Sequence, residues 1–245
     1  MSIPVGIQLY TVREDCKKDF KGTLKALAEM GYQGVEFAWY YGDMAPRDLA
    51  CYLHSLGLYA AGFHASLEEI LNPGSETYAY ARALNGSFVT TSLAEQVAKN
   101  WPATLDSMAR AAEVAFSQGF VFTYHNHDAE MTLFDGVIAE DMALARHSLV
   151  QFELDTYWIR KGGQDPVTMI RRYAGRTPQI HLKDMDVGDQ SFAEVGCGVL
   201  DLPGILAAAE AGGARWFIVE QDICKRPALE SARISIESLK KLGLG

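Results

Sequence analysis

The feature of this sequence that most constrains its fold is a regular alternation between short apolar segments and longer amphipathic ones. Runs rich in β-branched and aromatic residues predict strands at 5–10, 34–39, 58–64, 87–92, 120–127, 149–155, 178–184 and 215–222. Apolar residues at helical spacing predict helices at 16–30, 46–56, 67–85 (with a turn at Asn72-Pro73-Gly74), 101–118, 135–146, 166–173, 203–211 and 227–242. Strands that are joined by crossover helices must run parallel, so the pattern predicts a parallel α/β sheet.

Eight strand–helix units in a row predict that this sheet closes on itself. The expected fold class is α/β, with residues 1–245 forming a single domain, a (β/α)8 TIM barrel. A length of about 250 residues is typical of this fold, and no Ser/Pro-rich linker divides the sequence. A doubly wound open sheet is the alternative, but the turn from Leu9 to Cys16 lacks the glycine-rich phosphate loop of such sheets.

The charge and hydropathy of the chain argue against several kinds of partner. The formal net charge is −9, and an acidic chain without a run of Lys or Arg is poorly suited to bind nucleic acid or a membrane surface. No apolar run approaches the roughly 18–20 residues that span a bilayer, and the N-terminus does not resemble a signal peptide. The four cysteines are widely spaced, so we expect free thiols and a cytoplasmic location.

Polar residues able to do chemistry collect at the ends of the predicted strands. In a TIM barrel the C-terminal strand ends build the active site, which singles out Glu36, His64, His125, His127, Asp155, His181, Lys183 and Glu220. Side chains two positions apart on a strand share a face. We therefore expect four sets to converge: His125 with His127, Glu153 with Asp155 and Tyr157, His181 with Lys183, and Glu220 with Asp222.

The last four strands all end in His, Asp or Glu, which predicts a metal site. One such residue alone is more often a hydrogen-bonded side chain or a helix cap, and Glu153 has the alternative of pairing with a buried base inside the barrel. One nitrogen or oxygen ligand from each of strands five to eight would suit Mn²⁺, Co²⁺, Mg²⁺ or Zn²⁺. A mixed set of imidazole and carboxylate ligands disfavours Ca²⁺, which takes oxygen ligands.

Five short motifs, taken in order, are recognisable together. They are Gly34-Val35-Glu36, Tyr124-His125-Asn126-His127-Asp128, Glu153-Leu154-Asp155-Thr156-Tyr157-Trp158, His181-Leu182-Lys183-Asp184-Met185 and Val219-Glu220-Gln221-Asp222. In this order and strand placement they resemble the sugar phosphate isomerase/epimerase family, the xylose isomerase-like TIM barrels. Relatives of that family include ketose epimerases, hydroxypyruvate isomerase, inosose dehydratase and endonuclease IV. The resemblance spans Gly6 to about Leu242.

The resemblance implies a divalent metal held by strands five to eight. In the ketose epimerases the ligands are Glu, Asp, His and Glu, and the last three look like Asp155, His181 and Glu220. The first Glu falls at His125, with His127 as the alternative nitrogen ligand. The two glutamates of those epimerases exchange a proton on opposite faces of the sugar. A histidine at one of these positions therefore departs from the family's two-carboxylate shuttle.

The chemistry that the resemblance implies is proton transfer beside a sugar carbonyl. A bound cation would polarise the carbonyl and stabilise an enediolate, with Glu220 as the family-like base and His125 as a further candidate catalytic group. Lys183 would be a base if it is desolvated, or would hold an oxyanion if it is charged. The alternative for Lys183 is a structural salt bridge to Glu153 or Asp155.

Four more residues are candidates for contacts to the substrate. Glu36 and His64 would bind sugar hydroxyls, while Tyr157 and Trp158 would form an apolar wall or pack internally. We expect a non-phosphorylated sugar or cyclitol, because the strand ends carry no phosphate-binding glycine loop or Arg cluster. The sequence leaves open whether the chain forms a homo-oligomer.

The expected function is a divalent-metal-dependent keto-sugar isomerase or epimerase that acts through an enediolate. A metal-dependent sugar dehydratase or lyase, like inosose dehydratase or acting on a 3-keto-sugar, is the alternative, because elimination needs only one base and one acid. A non-catalytic sugar-binding barrel is a further alternative. A DNA-repair role like that of endonuclease IV is disfavoured, because it requires more metal ligands and a basic groove.

Overall fold

A closed barrel of parallel strands forms the centre of the molecule, as the sequence predicts. The computed structural model describes residues 2–93, 100–131 and 137–244. Within them the barrel strands are β1 Val5–Gln8, β2 Gly34–Ala38, β3 Tyr59–His64, β4 Phe88–Thr91, β5 Val121–His125, β6 Gln151–Asp155, β7 Gln179–Leu182 and β10 Trp216–Val219, and a separate two-stranded sheet contains β8 Asp184–Met185 and β9 Phe192–Ala193. The barrel order is β1-β10-β7-β6-β5-β4-β3-β2. Neighbouring strands in this order are parallel, which confirms the predicted (β/α)8 class.

Helices between the strands cover the outside of the barrel. They are α1 Arg13–Lys18, α2 Phe20–Met30, α3 Pro46–Leu56, α4 Leu67–Leu71, α5 Glu76–Ala83, α6 Trp101–Ser117, α7 Ala139–Arg146, α8 Thr156–Lys161, α9 Pro166–Arg172, α10 Leu202–Ala211 and α11 Ala228–Lys241. Two helices end as predicted, at Gly31 and Gly57, whose left-handed φ angles are 103° and 71°. None of the helices in the described ranges is long and apolar enough to cross a membrane.

The predicted helix at 16–30 is two helices, because the chain turns sharply at Asp19. This residue has φ −153° and ψ 87°, which is not helical, and its carboxylate accepts a hydrogen bond from the backbone N–H of Gly22. An Asp in this position satisfies a free N–H group at the start of α2, so it begins a new helix. The prediction for 135–146 falls partly on residues 132–136, which lie outside the described residues; the described helix α7 begins at Ala139.

The prediction that Tyr157 shares a strand face with Glu153 and Asp155 is wrong. The chain leaves the strand at Asp155 and enters α8 at Thr156. The cause is the Asp155 carboxylate, which accepts a hydrogen bond of 2.9 Å from the backbone N–H of Trp158 and so caps the new helix. Strand alternation therefore does not apply beyond Asp155.

The glycine-bearing stretch after β7 contains the short antiparallel pair β8 and β9. The Asp184 carboxylate holds this stretch together, accepting hydrogen bonds from the backbone N–H groups of Met185, Gly196, Gly198 and Leu200 at 2.8–3.1 Å. At Gly198 a Cβ atom would lie 2.2 Å from Asp184 Oδ1, so only glycine allows this approach. One buried carboxylate thus shapes the chain directly after Lys183.

Replacement of Asp184 by alanine is expected to lower the free energy of unfolding by about 2 kcal/mol or more. The reason is that each buried N–H group left without an acceptor costs about 1–3 kcal/mol. Urea denaturation measures the effect. Asp48→Ala, at an exposed position in the first turn of α3, is the matched control and should shift stability by no more than about 0.5 kcal/mol. Equal midpoints for the two variants would show that Asp184 does not hold the loop.

Candidate active site

A buried group of four side chains lies at the carboxyl ends of neighbouring barrel strands. His125, Asp155, His181 and Glu220 each offer one nitrogen or oxygen atom, and these atoms all lie within 4.8 Å of one another. The strand register explains the grouping, because Asp155 pairs directly with His181 across β6 and β7. Glu220 follows β10, and its backbone N–H donates to Leu182 O beside them. The structure therefore brings together one residue from each of the last four barrel strands.

A second buried group lies against the first and shares two of its histidines. It comprises His64, His125, Glu153 and His181. His64 Nε2 is 2.6 Å from Glu153 Oε2, so the buried-base partner considered for Glu153 is present. The side-chain amides of Gln8 and Gln179 donate hydrogen bonds to Glu36, which is fully buried and is not among the described residues that line the cavity at the site. Glu36 therefore reaches that cavity only through side chains that it contacts, which include Gln8 and His64.

His181 connects the two groups through its two ring nitrogens. Nδ1 is 2.8 Å from Glu220 Oε2, while Nε2 is 2.7 Å from Glu36 Oε2 and 3.2 Å from Glu153 Oε1. Burial alone would lower the pKa of His181, but the three carboxylates together hold it well above its usual range. A metal ligand must give up its proton, so a cation and a proton compete for this histidine.

Unpaired polar atoms show that this donor set fits a divalent cation. Among the described residues, His125 Nδ1, Glu153 Oε1 and Asp155 Oδ2 are buried and accept or donate no hydrogen bond. Buried polar groups normally have a partner, so such atoms need an explanation. Burial also raises the pKa of Asp155 to about 6, with a further contribution from the charge of Glu220. A cation held by His125, Asp155, His181 and Glu220 would balance these charges and use mixed imidazole and carboxylate ligands.

His127 lies outside both groups, although it lines the same cavity. Its Nδ1 is 2.9 Å from Ser92 Oγ, and its ring lies 4.8 Å from the ring of Trp158. Burial, together with the nearby charge of Lys183, lowers the pKa of His127 to about 4. Of the two candidate nitrogen ligands on this strand end, His125 is the one within the four-residue group.

Lys183 is buried and surrounded by carboxylates. Its Nζ atom lies 2.8 Å from Glu220 Oε2, 3.0 Å from Asp222 Oδ1 and 3.2 Å from Asp155 Oδ2. The contact to Asp155 is an ion pair but not a hydrogen bond, because its geometry is not aligned for one. Burial alone would lower the pKa of Lys183, but Asp155, Glu220 and Asp222 raise it above its usual range. A lysine in this setting stays protonated, which suits holding an oxyanion better than acting as a base.

A cavity of about 980 Å³ opens above these groups. Residues expected at the site that line it are His64, His125, His127, Trp158, Lys183, Glu220 and Asp222. Tyr157 is not among the described lining residues; its hydroxyl donates to Gln190 O, and its ring lies 4.3 Å from that of Phe192. It packs against the segment after β7 and supports Trp158, whose ring centroid is 5.1 Å away.

The sequence reasoning missed lining residues on the first half of the barrel. Gln8 ends β1, Trp39 follows β2, and Thr91 ends β4. The signal that could have found them is position alone, because each stands at a C-terminal strand end. Neither Trp39 nor Thr91 is an acid, a base or a usual metal ligand, so a search for catalytic side chains passes over them.

Comparison with known proteins agrees with this geometry. The family model described as xylose isomerase-like TIM barrel matches residues 24–242. The chain belongs to this family. Among solved xylose isomerase-like barrels, it is similar to a sugar phosphate isomerase/epimerase from Parabacteroides distasonis, at 21% identity and a TM-score of 0.80, with 98% of both chains covered. A structure of the IolI protein with a bound zinc atom has a TM-score of 0.74 at 15% identity, covering 98% of both chains.

Sequence similarity to curated members of the family is more local. An inosose dehydratase from Geobacillus kaustophilus is 34% identical over 85 residues, which are 35% of this chain and 28% of that protein. Other matched relatives carry the same name, and the chain spans about half of their length or less. At these identities, the solved structures establish the fold.

Proposed function

We propose that this chain is a divalent-metal-dependent enzyme that removes a proton beside the carbonyl of a keto-sugar or keto-cyclitol. The observation that carries the proposal is the buried set His125, Asp155, His181 and Glu220 beside the cavity, with unpaired donor atoms and a charged lysine next to it. A barrel that only binds sugar hydroxyl groups could use uncharged polar side chains at these positions. Burying charged side chains costs free energy unless they are paired or bind a metal.

The four grouped residues would hold the cation, and Lys183 would bind the oxygen on which charge develops. A divalent cation at such a site acts as a Lewis acid that polarises a carbonyl group. Lys183 contributes a fixed positive charge, and its three carboxylate partners keep the ammonium group in place. A fixed charge in a buried site stabilises developing negative charge without needing to reorganise.

His127 is the group we assign to proton transfer. Nδ1 is held by the Ser92 hydroxyl, and among the described residues no hydrogen bond involves Nε2, which leaves this atom for a ligand in the cavity. The Nε2 lone pair would take the proton, and the C–H bonding pair would become the enolate. Glu220, the base that the family resemblance implies, contacts both Lys183 and His181. The Glu220 carboxylate is thus already paired, whereas Nε2 of His127 has no hydrogen bond among the described residues.

Elimination of water is the second step that we favour. The proton taken up by His127 would pass to the hydroxyl group on the β-carbon, the second carbon from the carbonyl, and that C–O bond would break to release water and leave a conjugated enone. One group then serves as base and acid, so a second carboxylate is not needed. The curated relatives named inosose dehydratase support this choice. Isomerisation is the second candidate, because Glu220 also lines the cavity and offers another site for returning a proton.

The proposal is tested by metal binding together with reaction in D₂O. Purified protein with Mn²⁺, Co²⁺ or Zn²⁺ is incubated with inososes and keto-sugars, and products are analysed by mass spectrometry. Loss of water from the substrate is the expected result, whereas deuterium uptake without loss of water identifies the isomerase. If no divalent cation stabilises the fold and no substrate exchanges deuterium, the non-catalytic sugar-binding barrel replaces the proposal.

A pair of variants separates the metal site from general effects of charge. Asp155→Asn should abolish stabilisation by added metal, because it removes a carboxylate ligand. Asp106→Asn removes a carboxylate from an exposed ion pair with Arg146 and should keep that stabilisation. Thermal melting with and without metal provides the comparison, and equal metal responses in the two variants would count against the assigned ligands.

A further inference from the structure

The cavity is much larger than a single sugar ring requires. Its volume is about 980 Å³, while cavities that bind drug-sized ligands span roughly 300–1,000 Å³. The groups with acid, base or ligand chemistry occupy one part of its wall, around His125, Lys183 and Glu220. A keto-sugar bound there would leave much of the remaining space unfilled.

The described residues of the remaining wall are uncharged. Apolar side chains contribute Tyr10, Trp39, Leu67 and Leu93, and uncharged polar side chains come from α6. Lys183 is the only Lys or Arg among the described lining residues, and three carboxylates already contact it. Among the lining residues that the structure describes, a phosphate or carboxylate group on the ligand would therefore find no free cation in this part of the cavity.

Trp39 is held in an unusual conformation at this wall. Its backbone φ is +58°, in the left-handed region that bulky residues rarely adopt. The side chain is 58% exposed, so burial of the indole does not offset the conformational cost. A strained residue at a binding site is an observation from which a functional role is inferred. Here the strain places an exposed aromatic ring next to His64, with ring centroids 6.2 Å apart.

Tyr10 lies next to Trp39, and Arg13 packs against its ring. Its ring lies 6.3 Å from that of Trp39, and the Arg13 guanidinium stacks 4.0 Å from its centroid. Arg13 also donates hydrogen bonds to the backbone oxygens of Tyr10 and Asp222. The two aromatic rings meet edge to face, at an interplanar angle of 88°, so they form a wall with two perpendicular faces between His64 and Asp222.

We propose that this wall is a second subsite, which binds an uncharged ring with a flat apolar face attached to the sugar. Trp39 would stack on that ring, Tyr10 would contact its edge, and Leu67 and Leu93 would border it. The substrate would then be a glycoside or a comparable two-ring compound. This inference deepens the proposed function and rests on it for the keto-sugar half of the ligand. The second ring is an aryl group or a second sugar, which share this flat apolar face.

Binding of unreactive glucosides tests the subsite independently of catalysis. Methyl β-D-glucopyranoside, phenyl β-D-glucopyranoside and cellobiose carry no ring ketone, and calorimetry with Mn²⁺ present measures their dissociation constants. We expect the phenyl glucoside or cellobiose to bind about tenfold more tightly than the methyl glucoside. The tighter of the two identifies the second ring as aryl or as sugar. If neither binds more tightly than the methyl glucoside, the second subsite is overturned.

Variants of Trp39 connect that advantage to the aromatic wall. Trp39→Ala should reduce the advantage to about twofold or less. Trp39→Gly should do the same in a backbone that tolerates φ +58°, which guards against misfolding of the alanine variant. Phe116→Ala, at a 65% exposed aromatic on α6, is the matched control and should keep the full advantage.

The outcome distinguishes this subsite from the proposed reaction. A retained advantage in both Trp39 variants contradicts the subsite, whatever the reaction is found to be. A loss of advantage supports it even if no keto-sugar reacts in D₂O, since the probes bind without reacting. Failure of the reaction with an intact preference for two-ring glucosides would leave a sugar-binding barrel that carries this subsite.

Discussion

Replacement of His181 by alanine is expected to lower the free energy of unfolding by about 3–5 kcal/mol, because it leaves buried carboxylates without their cationic partner. His181 contacts Glu36, Glu153 and Glu220, and none of these side chains is more than 8% exposed. The same change removes one of the four proposed metal ligands, so added Mn²⁺ or Zn²⁺ should no longer raise the melting temperature. Urea denaturation and thermal melting, each with and without metal, measure the two effects.

A histidine on the surface gives the matched control for this experiment. His54 lies in the last turn of α3 and is exposed, so His54→Ala should change stability by no more than about 0.5 kcal/mol. It should also keep the full response to metal. If the His181→Ala variant unfolds like the wild type and still responds to metal, His181 is not the link between the two buried groups.

Replacement of Lys183 by methionine is expected to have the second large effect. Methionine matches much of the length of the lysine side chain but removes the charge that faces Asp155, Glu220 and Asp222. Breaking a buried ion pair by removing one partner costs about 3–5 kcal/mol. We expect a loss of this size in urea denaturation, together with loss of substrate turnover, because the fixed ammonium group that would hold the oxyanion is gone.

Two further measurements test whether the loss of stability in Lys183→Met comes from the missing buried charge: addition of metal, and removal of a lysine on the surface. Added Mn²⁺ should recover part of the lost stability, since a cation bound near Glu220 would replace some of the missing positive charge. Lys225→Met removes a lysine whose ion pairs with Asp186 and Asp189 are exposed, and it should cost at most about 1 kcal/mol. If both methionine variants lose equal stability, the carboxylates around Lys183 do not depend on its charge.

Position along the chain was enough to predict the fold and where its site would lie. Periodic apolar segments are a local property, and crossover helices require parallel strands, so eight units in a row predict a barrel. The same reasoning places polar strand ends on one side of the barrel, where the structure brings His125, Asp155, His181 and Glu220 together. Side-chain alternation failed at Tyr157, because the Asp155 carboxylate starts a helix there.

The contacts inside the site depend on residues from distant parts of the chain. Glu36 approaches His181 across 145 positions, and the sequence offers no sign that this glutamate would bind a histidine instead of a sugar. The charge state of Lys183 likewise depends on which carboxylates surround it, and therefore on the packing of β6, β7 and β10. Two roles that the sequence left open for this lysine, base or fixed charge, differ only in that environment.

The sequence by itself determined the closed barrel and the group of strand ends at which ligands would gather, because both follow from local periodicity and chain order, and its five motifs carry the resemblance to the family. Only the tertiary structure decided that His125 joins that group while His127 stays apart against Ser92. Only the structure likewise placed Trp39, in a left-handed conformation, at the wall of the cavity. Both depend on rotation of side chains and backbone angles within loops, which are set by packing among elements far apart in sequence.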